Sequence, residues 1–341
     1  MGKRVLRTPI EVPQWRLSSG TAVVAGLATA RLDCAPTTAY VMLGERCSGD
    51  CAFCAQARSS AARADLLSRV AWPAYGAEHA AAAISSACDA NVLRRICFQV
   101  TTGPGHIDRA IDAVRTARSL TDAPICVSVA VPSCEEIGRL LGAGASRVTL
   151  AIDAACERVY AATKSGSWAH VRMLLRSAAQ AYPRQIGTHL IVGLGETELE
   201  MACALQDYVD LDIATGLFAL TPIAGTRLAS AMPPPLDAYR RLQATRWLLT
   251  SRLARQNNLR YDGGGRIISL GMPRERLLQA LSDPVDSPFR TSGCRDCNRP
   301  YYNERPGGVI YNYPRPLTDT EAQAEVRTLL DSLEPAAFSQ V

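Results

Sequence analysis

The chain has 341 residues, a formal net charge of +5 and a hydrophobic fraction of 48%, which allows one large barrel or two modest domains. Lys3 and Lys164 are the only lysines and no dense basic run occurs, so the sequence does not predict a nucleic-acid partner. We find neither a signal peptide nor an apolar stretch that could span a bilayer. Twelve cysteines then indicate metal or redox chemistry in a reducing compartment, and we expect a cytoplasmic protein.

Short apolar runs alternate along the chain with longer segments of helical periodicity. Residues 1–39 are predicted to form an irregular or partly helical lead-in. The predicted strands are 39–43, 95–101, 124–130, 147–153, 187–193, 216–221 and 259–263. The predicted helices are 77–90, 107–120, 134–142, 168–182, 198–209, 236–257, 273–281 and, after an irregular tail, 319–333. This alternation predicts an α/β fold, a (β/α) barrel of the TIM type that is complete or partly open. An open doubly wound sheet is the alternative, although no glycine-rich fingerprint follows the first strand.

Three cysteines follow the first predicted strand, in the sequence Cys47-Ser-Gly-Asp-Cys51-Ala-Phe-Cys54. Thiolates favour soft metals and iron–sulfur clusters. A four-iron cluster has four corners to ligate, so this loop would leave one iron open to a substrate or cofactor. A structural zinc knuckle is the alternative, but zinc sites usually combine paired cysteines or Cys with His, and no His lies near this loop.

The cysteine spacing, with the aromatic Phe53 before the last thiol, resembles the signature of the radical S-adenosylmethionine (SAM) superfamily. The resemblance implies that Cys47, Cys51 and Cys54 hold a 4Fe–4S cluster whose open iron binds the amino and carboxylate groups of SAM. Reductive cleavage of SAM in that superfamily gives a radical that removes hydrogen from an unactivated carbon. A low-potential electron donor such as ferredoxin or flavodoxin is then an expected partner.

A second motif ends the fifth predicted strand, in the sequence His189-Leu-Ile-Val-Gly-Leu-Gly-Glu-Thr197. Its glycines let a ligand approach the backbone closely before a helix begins. The motif resembles the SAM-adenine segment of the superfamily, and the positions that carry the resemblance are Gly193, Gly195 and Glu196. The turn 223–226 resembles another adenosine contact.

Two further residues are candidates for the SAM pocket. Asp153, at the end of the fourth predicted strand, resembles the acid that binds the SAM ribose hydroxyls, and a helix N-cap is the competing interpretation. Arg172, on the helix 168–182, is a candidate for the SAM carboxylate.

From the cysteine loop to about residue 270, the order of motifs is similar to biotin synthase, which holds a second cluster with three strand cysteines and one arginine. Cys97, Cys126 and Arg266 match three of these positions. The third thiol position falls on Gly187, so we interpret Cys97 and Cys126 as small buried core residues. Packing is also the expected role of the helical cysteines Cys88, Cys134, Cys156 and Cys203.

The C-terminal tail, residues 286–341, contains a Cys294-x-x-Cys297 pair. Together with Cys34, these cysteines are predicted to hold an auxiliary 4Fe–4S cluster whose fourth ligand is Ser292 or a group from a partner. A redox pair or half a zinc site is the alternative. The predicted organisation is therefore a lead-in (1–39), a barrel (40–285) and an auxiliary-cluster tail (286–341).

The tail sequence Cys-Asn-Arg-Pro-Tyr-Tyr-Asn-Glu-Arg-Pro-Gly-Gly resembles the two-component lipoyl synthases of archaea and some bacteria. The resemblance implies sulfur insertion into an octanoyl chain on a lipoyl carrier protein, together with a sister radical SAM component. The single-chain lipoyl synthases carry N- and C-terminal motifs that this sequence lacks. The alternatives are another biotin-synthase-like enzyme (a biotin synthase, mutase, methyltransferase or cofactor-maturation lyase) or a non-enzymatic iron–sulfur scaffold or electron carrier.

Overall fold

The computed structural model describes residues 13–304 and 307–334. Its strands are β1 (Gln14–Leu17), β2 (Thr38–Leu43), β3 (Leu66–Leu67), β4 (Val70–Ala71), β5 (Ala74–Gly76), β6 (Arg95–Val100), β7 (Ile125–Ser128), β8 (Arg147–Thr149), β9 (Ile186–Val192), β10 (Ala214–Ala219), β11 (Arg260–Tyr261) and β12 (Ile267–Ser269). Its helices are α1 (Ser19–Val24), α2 (Ala77–Asp89), α3 (His106–Arg118), α4 (Cys134–Gly142), α5 (Glu157–Thr163), α6 (Trp168–Ala181), α7 (Glu198–Asp210), α8 (Leu236–Thr250), α9 (Arg274–Leu281) and α10 (Asp319–Asp331).

One mostly parallel sheet organises this part of the chain, in the order β10-β9-β8-β7-β6-β2-β1-β5. Strands β2, β6, β7, β8, β9 and β10 pair parallel with one another, and helices connect successive strands of this set as in βα units. No strand pairing closes β10 onto β2 among the described residues. The fold is therefore the partly open form of the predicted barrel.

The sequence explains why these segments form buried strands and outer helices. Every residue of β2 is buried, as expected for a parallel strand covered on both faces. Helix α2 buries Ile84 and four of its alanines while its opposite face stays exposed. Helix α7 begins with a capping box in which Thr197 and Glu200 satisfy each other's backbone N–H groups. The amphipathic periodicity of the chain thus places the helices outside the sheet.

Two strand predictions were wrong. The lead-in is not simply irregular or helical, because β1 pairs antiparallel with both β2 and β5 and extends the sheet. The predicted strand 259–263 does not join the main sheet, because β11 pairs with β12 in a separate two-stranded hairpin. The last predicted barrel unit is therefore absent from the described structure.

The tail fills the gap beside β10 with side chains instead of a strand. Ser292 Oγ accepts a hydrogen bond from Leu217 N at 2.9 Å, and Asn303 Nδ2 donates to Ala219 O at 2.8 Å. Arg299 N also donates to the hydroxyl oxygen of Tyr40, a residue of β2, at 2.7 Å. The tail thus connects the free edge of β10 to β2.

Glycines permit this close crossing. A Cβ added to Gly293 would lie 3.3 Å from Gly216 Cα, and one added to Gly216 would lie 3.2 Å from Arg299 Nη1. Gly293 also has a φ of +113°, which L side chains rarely adopt. Larger residues at either position would push the tail away from β10.

A fully buried arginine anchors the end of the tail to the barrel. The Arg240 guanidinium on α8 forms a salt bridge with Glu325 on α10, at 2.6 Å, and also donates to Tyr311 O and Ile310 O. Because this buried charge has both a carboxylate and carbonyl acceptors, its desolvation is compensated. No helix of the described residues is both long and apolar enough to cross a membrane.

Candidate active site

The cysteine loop after β2 is held by Arg46, the residue that precedes its first thiol. Its guanidinium donates to four backbone carbonyls of the loop, at distances from 2.8 to 3.2 Å: Ala55, Ala57, Ser60 and Ala62. The loop is also fixed to the barrel, since Ser48 N donates to Thr102 O and Ala52 N donates to Thr163 O. Most hydrogen bonds that define the loop conformation therefore do not involve its thiols, and the bond from Gly49 N to Cys47 Sγ is an exception.

Cys47, Cys51 and Cys54, here called the loop thiols, all line one large cavity. Burial raises the pKa of Cys54 to about 12, and the neighbouring Cys51 and Cys47 add to this effect. Such a thiol ionises only when a metal or another positive charge compensates its burial. Phe53 lines the same cavity.

Asp153 also lines this cavity and forms a buried salt bridge with Lys164. Burial alone would lower the pKa of Lys164, but the Asp153 carboxylate outweighs it and the pKa is raised. The N-cap interpretation of Asp153 was wrong, because the next helix begins at Glu157 with Cys156 at its N-cap. Lys164 Nζ also lies 5.9 Å from the centre of the Phe53 ring. Lys164 therefore contacts both Asp153 and the cysteine loop.

Gly193, Gly195 and Glu196 form a tight turn after β9. Glu196 accepts hydrogen bonds from Gly193 N at 2.7 Å and Leu194 N at 3.0 Å. Both glycines have a positive φ, 101° and 111°. Glu196 thus organises the turn itself, and none of these three residues is among those that line the cavity of the loop thiols.

Arg172 lies away from the cavity. It pairs with Asp207 at 2.7 Å and stacks on Trp168. The cavity is lined instead by its neighbours His170 and Val171, because successive residues of a helix point in different directions. The structure therefore does not bring Arg172 to the other predicted SAM-pocket residues.

Four other thiols face the same cavity from deeper in the barrel. Cys97 on β6 is the cross-strand partner of Cys126 on β7, and Cys126 Sγ lies 3.3 Å from Cys294 Sγ of the tail. Cys297 Sγ lies 3.5 Å from Tyr40 Oη, and Tyr40 is the cross-strand partner of Cys97. We call Cys97, Cys126, Cys294 and Cys297 the interior thiols.

Two arginines accompany the interior thiols. Arg95 Nη1 donates to Cys126 Sγ at 2.9 Å, and Arg147 Nη1 donates to Cys294 Sγ at 3.5 Å. The hydrogen bond from Cys126 and the two guanidinium charges lower the pKa of Cys294 against the effect of burial. The pKa of Cys126 is raised, first by its hydrogen bond to Cys294 and then by burial. The environment thus favours a thiolate at Cys294.

Two predicted neighbours of this region lie elsewhere. Cys34 does not line the cavity; its Sγ lies 3.7 Å from Pro314 O and 3.9 Å from Asn298 Nδ2. Arg266 is exposed and donates to Ser332 O, because its segment forms the β11–β12 hairpin. The thiol of Cys294 contacts that of Cys126, and neither Cys34 nor Arg266 takes part in that contact.

The cavity has a volume of about 530 Å³, and both the loop thiols and the interior thiols line it. Cys97 and Cys126 lie in the first halves of β6 and β7, whereas the loop thiols follow the last residue of β2. Three residues separate Cys97 from the end of β6, which corresponds to about 10 Å along the strand. The two groups therefore occupy opposite ends of the cavity.

The guanidinium of Arg299 and the neutral imidazole of His189 also belong to the wall of this cavity. Burial lowers the pKa of His189 to about 4, and the Arg299 and Lys164 charges contribute, although Asp153 opposes them. His189 packs edge-on against Phe218, and the Arg299 guanidinium lies 3.8 Å from the centre of the same ring. Sequence analysis missed Arg299 and Lys164, although Lys164 is one of only two lysines in the chain.

Residues 41–207 match a family model described as the Radical SAM superfamily. This region, just under half of the chain, is similar to radical SAM domains. It contains the loop thiols, Phe53, Asp153 and the turn from Gly193 to Glu196. The predicted SAM-binding motifs thus fall within the matched region.

The chain is also similar to a biotin synthase of Desulforudis audaxviator (strain MP104C). The two sequences are 28% identical over 227 residues, covering 64% of this chain and 65% of the biotin synthase. The resemblance is therefore of the biotin-synthase-like kind, and it spans less than two thirds of that relative.

Solved structures show the same fold. HydG, a maturase of the FeFe-hydrogenase, superposes with a TM-score of 0.51 at 13% identity, over 62% of this chain and half of HydG. Methylornithine synthase (PylB) superposes with a TM-score of 0.50 at 14% identity, over 68% of this chain and 66% of PylB. At these identities the likeness establishes the fold alone.

The residues at the loop end of the cavity fit a 4Fe–4S cluster. Three thiols line one face, and thiolates are the ligands of such clusters. In residues 13–304 and 307–334 no three His, Cys, Asp or Glu side chains converge on a single metal ion. Ligands of a cluster bind different irons, so they need not converge in this way.

Proposed function

We propose that this chain is a radical SAM enzyme that inserts sulfur into an octanoyl chain carried on a lipoyl carrier protein, as one component of a two-protein lipoyl synthase. The observation that carries the proposal is the single cavity with thiols at both ends. An enzyme that only generates a radical needs the loop thiols alone. The presence of the interior thiols at the other end of the same cavity favours sulfur transfer.

The cavity suits an acyl chain. Its lining residues include the apolar Met42, Leu150, Ile191 and Leu220. Such a wall favours an aliphatic substrate and excludes water around the reacting carbon. The distance between the loop thiols and the interior thiols leaves room for that carbon between the two sets.

The tail motif supports the lipoyl assignment because it forms part of this cavity. Cys297, Arg299, Tyr302 and Asn303 belong to the sequence that resembles two-component lipoyl synthases, and all four line the cavity. The motif therefore contacts whatever substrate the cavity binds. The Arg299 guanidinium offers a hydrogen-bond donor to a carbonyl of that substrate, whereas both N–H groups of Asn303 already donate to Ala219 O and Thr221 Oγ1.

The chain's own residues have distinct tasks in this reaction. Arg46 fixes the loop that presents Cys47, Cys51 and Cys54 as cluster ligands. Asp153 is placed to accept hydrogen bonds from a ribose. When bound, SAM and the loop cluster supply the hydrogen-abstracting radical while a second cluster supplies sulfide and takes up the remaining electron, so that one C–H bond becomes one C–S bond.

A biotin-synthase-type reaction on a free substrate is the second candidate. It is favoured by the 28% identity to a biotin synthase and by the strand positions of Cys97 and Cys126. The same chemistry would then act on desthiobiotin. The two candidates differ in the substrate and share the cavity.

Anaerobic incubation of the reconstituted protein with SAM and dithionite tests the proposal. The substrates are an octanoyl-lysine peptide from a lipoyl carrier domain and, separately, desthiobiotin. We expect 5′-deoxyadenosine and a peptide whose mass has gained sulfur, measured by mass spectrometry. The reaction is run with and without a sister radical SAM protein, and with ferredoxin or flavodoxin in place of dithionite.

Two variants serve as controls. Cys51→Ala should form neither 5′-deoxyadenosine nor thiolated product, because the loop cluster loses a ligand. Cys88→Ala, outside the cavity, should behave as the unmodified protein. Thiolation of desthiobiotin but not of the peptide would favour the second candidate, and SAM cleavage without any thiolated product would contradict sulfur insertion.

A further inference from the structure

The interior thiols come from separate parts of the chain but meet at one end of the cavity. Two project from neighbouring strands at paired positions, Cys97 and Cys126. The other two, Cys294 and Cys297, come from the tail, which crosses the free edge of β10 to reach them. This convergence depends on the contacts of Ser292 with Leu217 N and of Arg299 N with Tyr40 Oη.

The chain has no strand thiol where a biotin synthase would have its third, and the structure shows what occupies that space. A Cβ added to Gly187 would lie 2.8 Å from Thr149 Oγ1 and 3.3 Å from Arg147 Cδ. Arg147 passes beside Gly187 and reaches Cys294 Sγ. Position 187 therefore has no space for a cysteine side chain, and the tail residue Cys294 supplies a thiol near this position instead.

Positive charge is directed at these thiols. Arg95 and Arg147 each donate to one of them, and each also donates to one backbone carbonyl. Within residues 13–304 and 307–334, no ion pair joins either arginine to a carboxylate. Arg147 Nε is buried without a hydrogen-bond partner. Two half-buried guanidinium groups without carboxylates indicate that an anionic group belongs beside them.

We propose that Cys97, Cys126, Cys294 and Cys297 together ligate a second iron–sulfur cluster at the interior end of the cavity. An all-thiolate set favours such a cluster over hard metals. Arg95 and Arg147 offset the negative charge of the thiolates and the cluster. The inference rests on the proposed function for its purpose, the supply of sulfide, but not for its existence.

This ligand set replaces the one predicted from the sequence. Cys34 does not line the cavity that Cys294 lines, and its thiol contacts the tail residues Asn298 and Pro314. Cys97 and Cys126 are more than packing residues, since both face the cavity and the tail thiols. The Cys126 to Cys294 distance of 3.3 Å is longer than a disulfide bond, so these two sulfurs are close neighbours without a covalent bond.

Iron in the interior site can be counted separately from iron in the loop site. The variant Cys47→Ala/Cys51→Ala/Cys54→Ala removes the loop ligands, so any iron and sulfide it retains after anaerobic reconstitution belong to another site. We expect this triple variant to retain equal amounts of iron and sulfide, with a charge-transfer absorption typical of a cluster.

Single changes in that background identify the ligands. Replacing Cys97, Cys126, Cys294 or Cys297 by Ser should remove most of the remaining iron and sulfide. Ser keeps the size of the side chain, and far-ultraviolet circular dichroism checks that each variant is folded. Cys34→Ser and Cys203→Ser are the matched controls and should retain both elements.

Three results would overturn the proposal. The first is a folded triple variant without iron, and the second is loss of iron on changing Cys34 but not Cys97 or Cys126. The third is stoichiometric zinc without sulfide, which would indicate a structural zinc site. None of these measurements requires substrate, so a site that holds a cluster in an enzyme that does not thiolate octanoyl peptide would contradict only the proposed function.

Discussion

The thiol of Cys294 lies 3.3 Å from that of Cys126, although 168 residues separate them in the chain. The tail that carries Cys294 is therefore part of the barrel wall. Parallel sheets need both edges covered or paired, and here tail side chains occupy the free edge of β10. The same tail segment therefore covers the free edge of β10 and brings Cys294 and Cys297 to the other interior thiols.

The first prediction tests this closure with Ser292→Ala. Ser292 is 7% exposed and its Oγ accepts the Leu217 N–H, so the change leaves a buried donor unsatisfied. We expect a loss of about 1–3 kcal/mol in the free energy of unfolding, measured by urea denaturation, and faster alkylation of Cys294. Ser119→Ala, at an exposed helix end, should change stability by less than about 0.5 kcal/mol. Equal stability and alkylation rates in the two variants would show that the tail does not close the barrel through this bond.

Most of the longer helices and most parallel strands were predictable from the sequence because their signals are local. Periodicity gave α4 with both bounds correct and α6 to within one residue. The short helix α5 was not predicted, and α8 ends at Thr250, before the predicted end at residue 257. Strand β1 was missed because four residues between Pro13 and Ser18 carry little periodicity, and its partners are distant in sequence. The hairpin of β11 and β12 was mistaken for a barrel strand because an apolar run does not specify its partner.

The candidate site was predictable where its residues are close together in the sequence. The loop thiols and the turn from Gly193 to Glu196 are contiguous motifs. The meeting of Cys294 with Cys126, and of Lys164 with Asp153, depends on the tertiary fold. A one-residue shift on a helix turns a side chain by about 100°, which is enough to move Arg172 out of the cavity.

The second prediction concerns Arg46, which positions the loop thiols without contacting substrate. Arg46→Met removes charge-assisted hydrogen bonds to four carbonyls, each worth on the order of 1.5–3 kcal/mol. We expect several-fold faster loss of loop iron to a chelator, while the thiols remain. Arg58→Met, an exposed residue of the same loop, is the control. Equal rates of iron loss in both variants would mean that the thiols alone define the loop.

The third prediction is a pH dependence that comes from His189. Its pKa is lowered to about 4 in the folded protein from about 6.5 in an unfolded chain. As pH falls through 6.5, the unfolded state takes up a proton that the folded state does not, so stability is lost between about pH 6.5 and 4. The loss attributable to His189 should be about 2–3 kcal/mol at pH 4.5.

Urea unfolding of the metal-free protein at pH 7.0 and pH 4.5 measures this loss. His189→Gln should reduce the difference between the two pH values by about that amount, because glutamine does not titrate. His79→Gln, on the exposed face of α2, should leave the difference unchanged. A His189→Gln protein with the full pH dependence would show that other groups cause it.

The last prediction asks whether Asp153 and Lys164 form the ribose side of the SAM pocket. Asp153 has a φ of +60°, a conformation that Asn tolerates better than most residues, so Asp153→Asn should keep the backbone and remove one charged acceptor. We expect SAM to bind about tenfold or more weakly, since a hydrogen bond to a charged group contributes on the order of 1.5–3 kcal/mol. Equilibrium dialysis with the reconstituted protein measures the affinity, and iron content should stay unchanged.

Lys164→Met and Arg172→Ala complete this experiment. Lys164→Met leaves the buried Asp153 carboxylate without its cation, and it should weaken SAM binding to a similar degree because the acid is no longer held toward the cavity. Arg172→Ala removes a residue that pairs with Asp207 outside the cavity, so SAM affinity should not change. If Arg172→Ala weakened binding while Asp153→Asn did not, the buried pair would be a structural salt bridge, and the SAM carboxylate would bind on the side of α6.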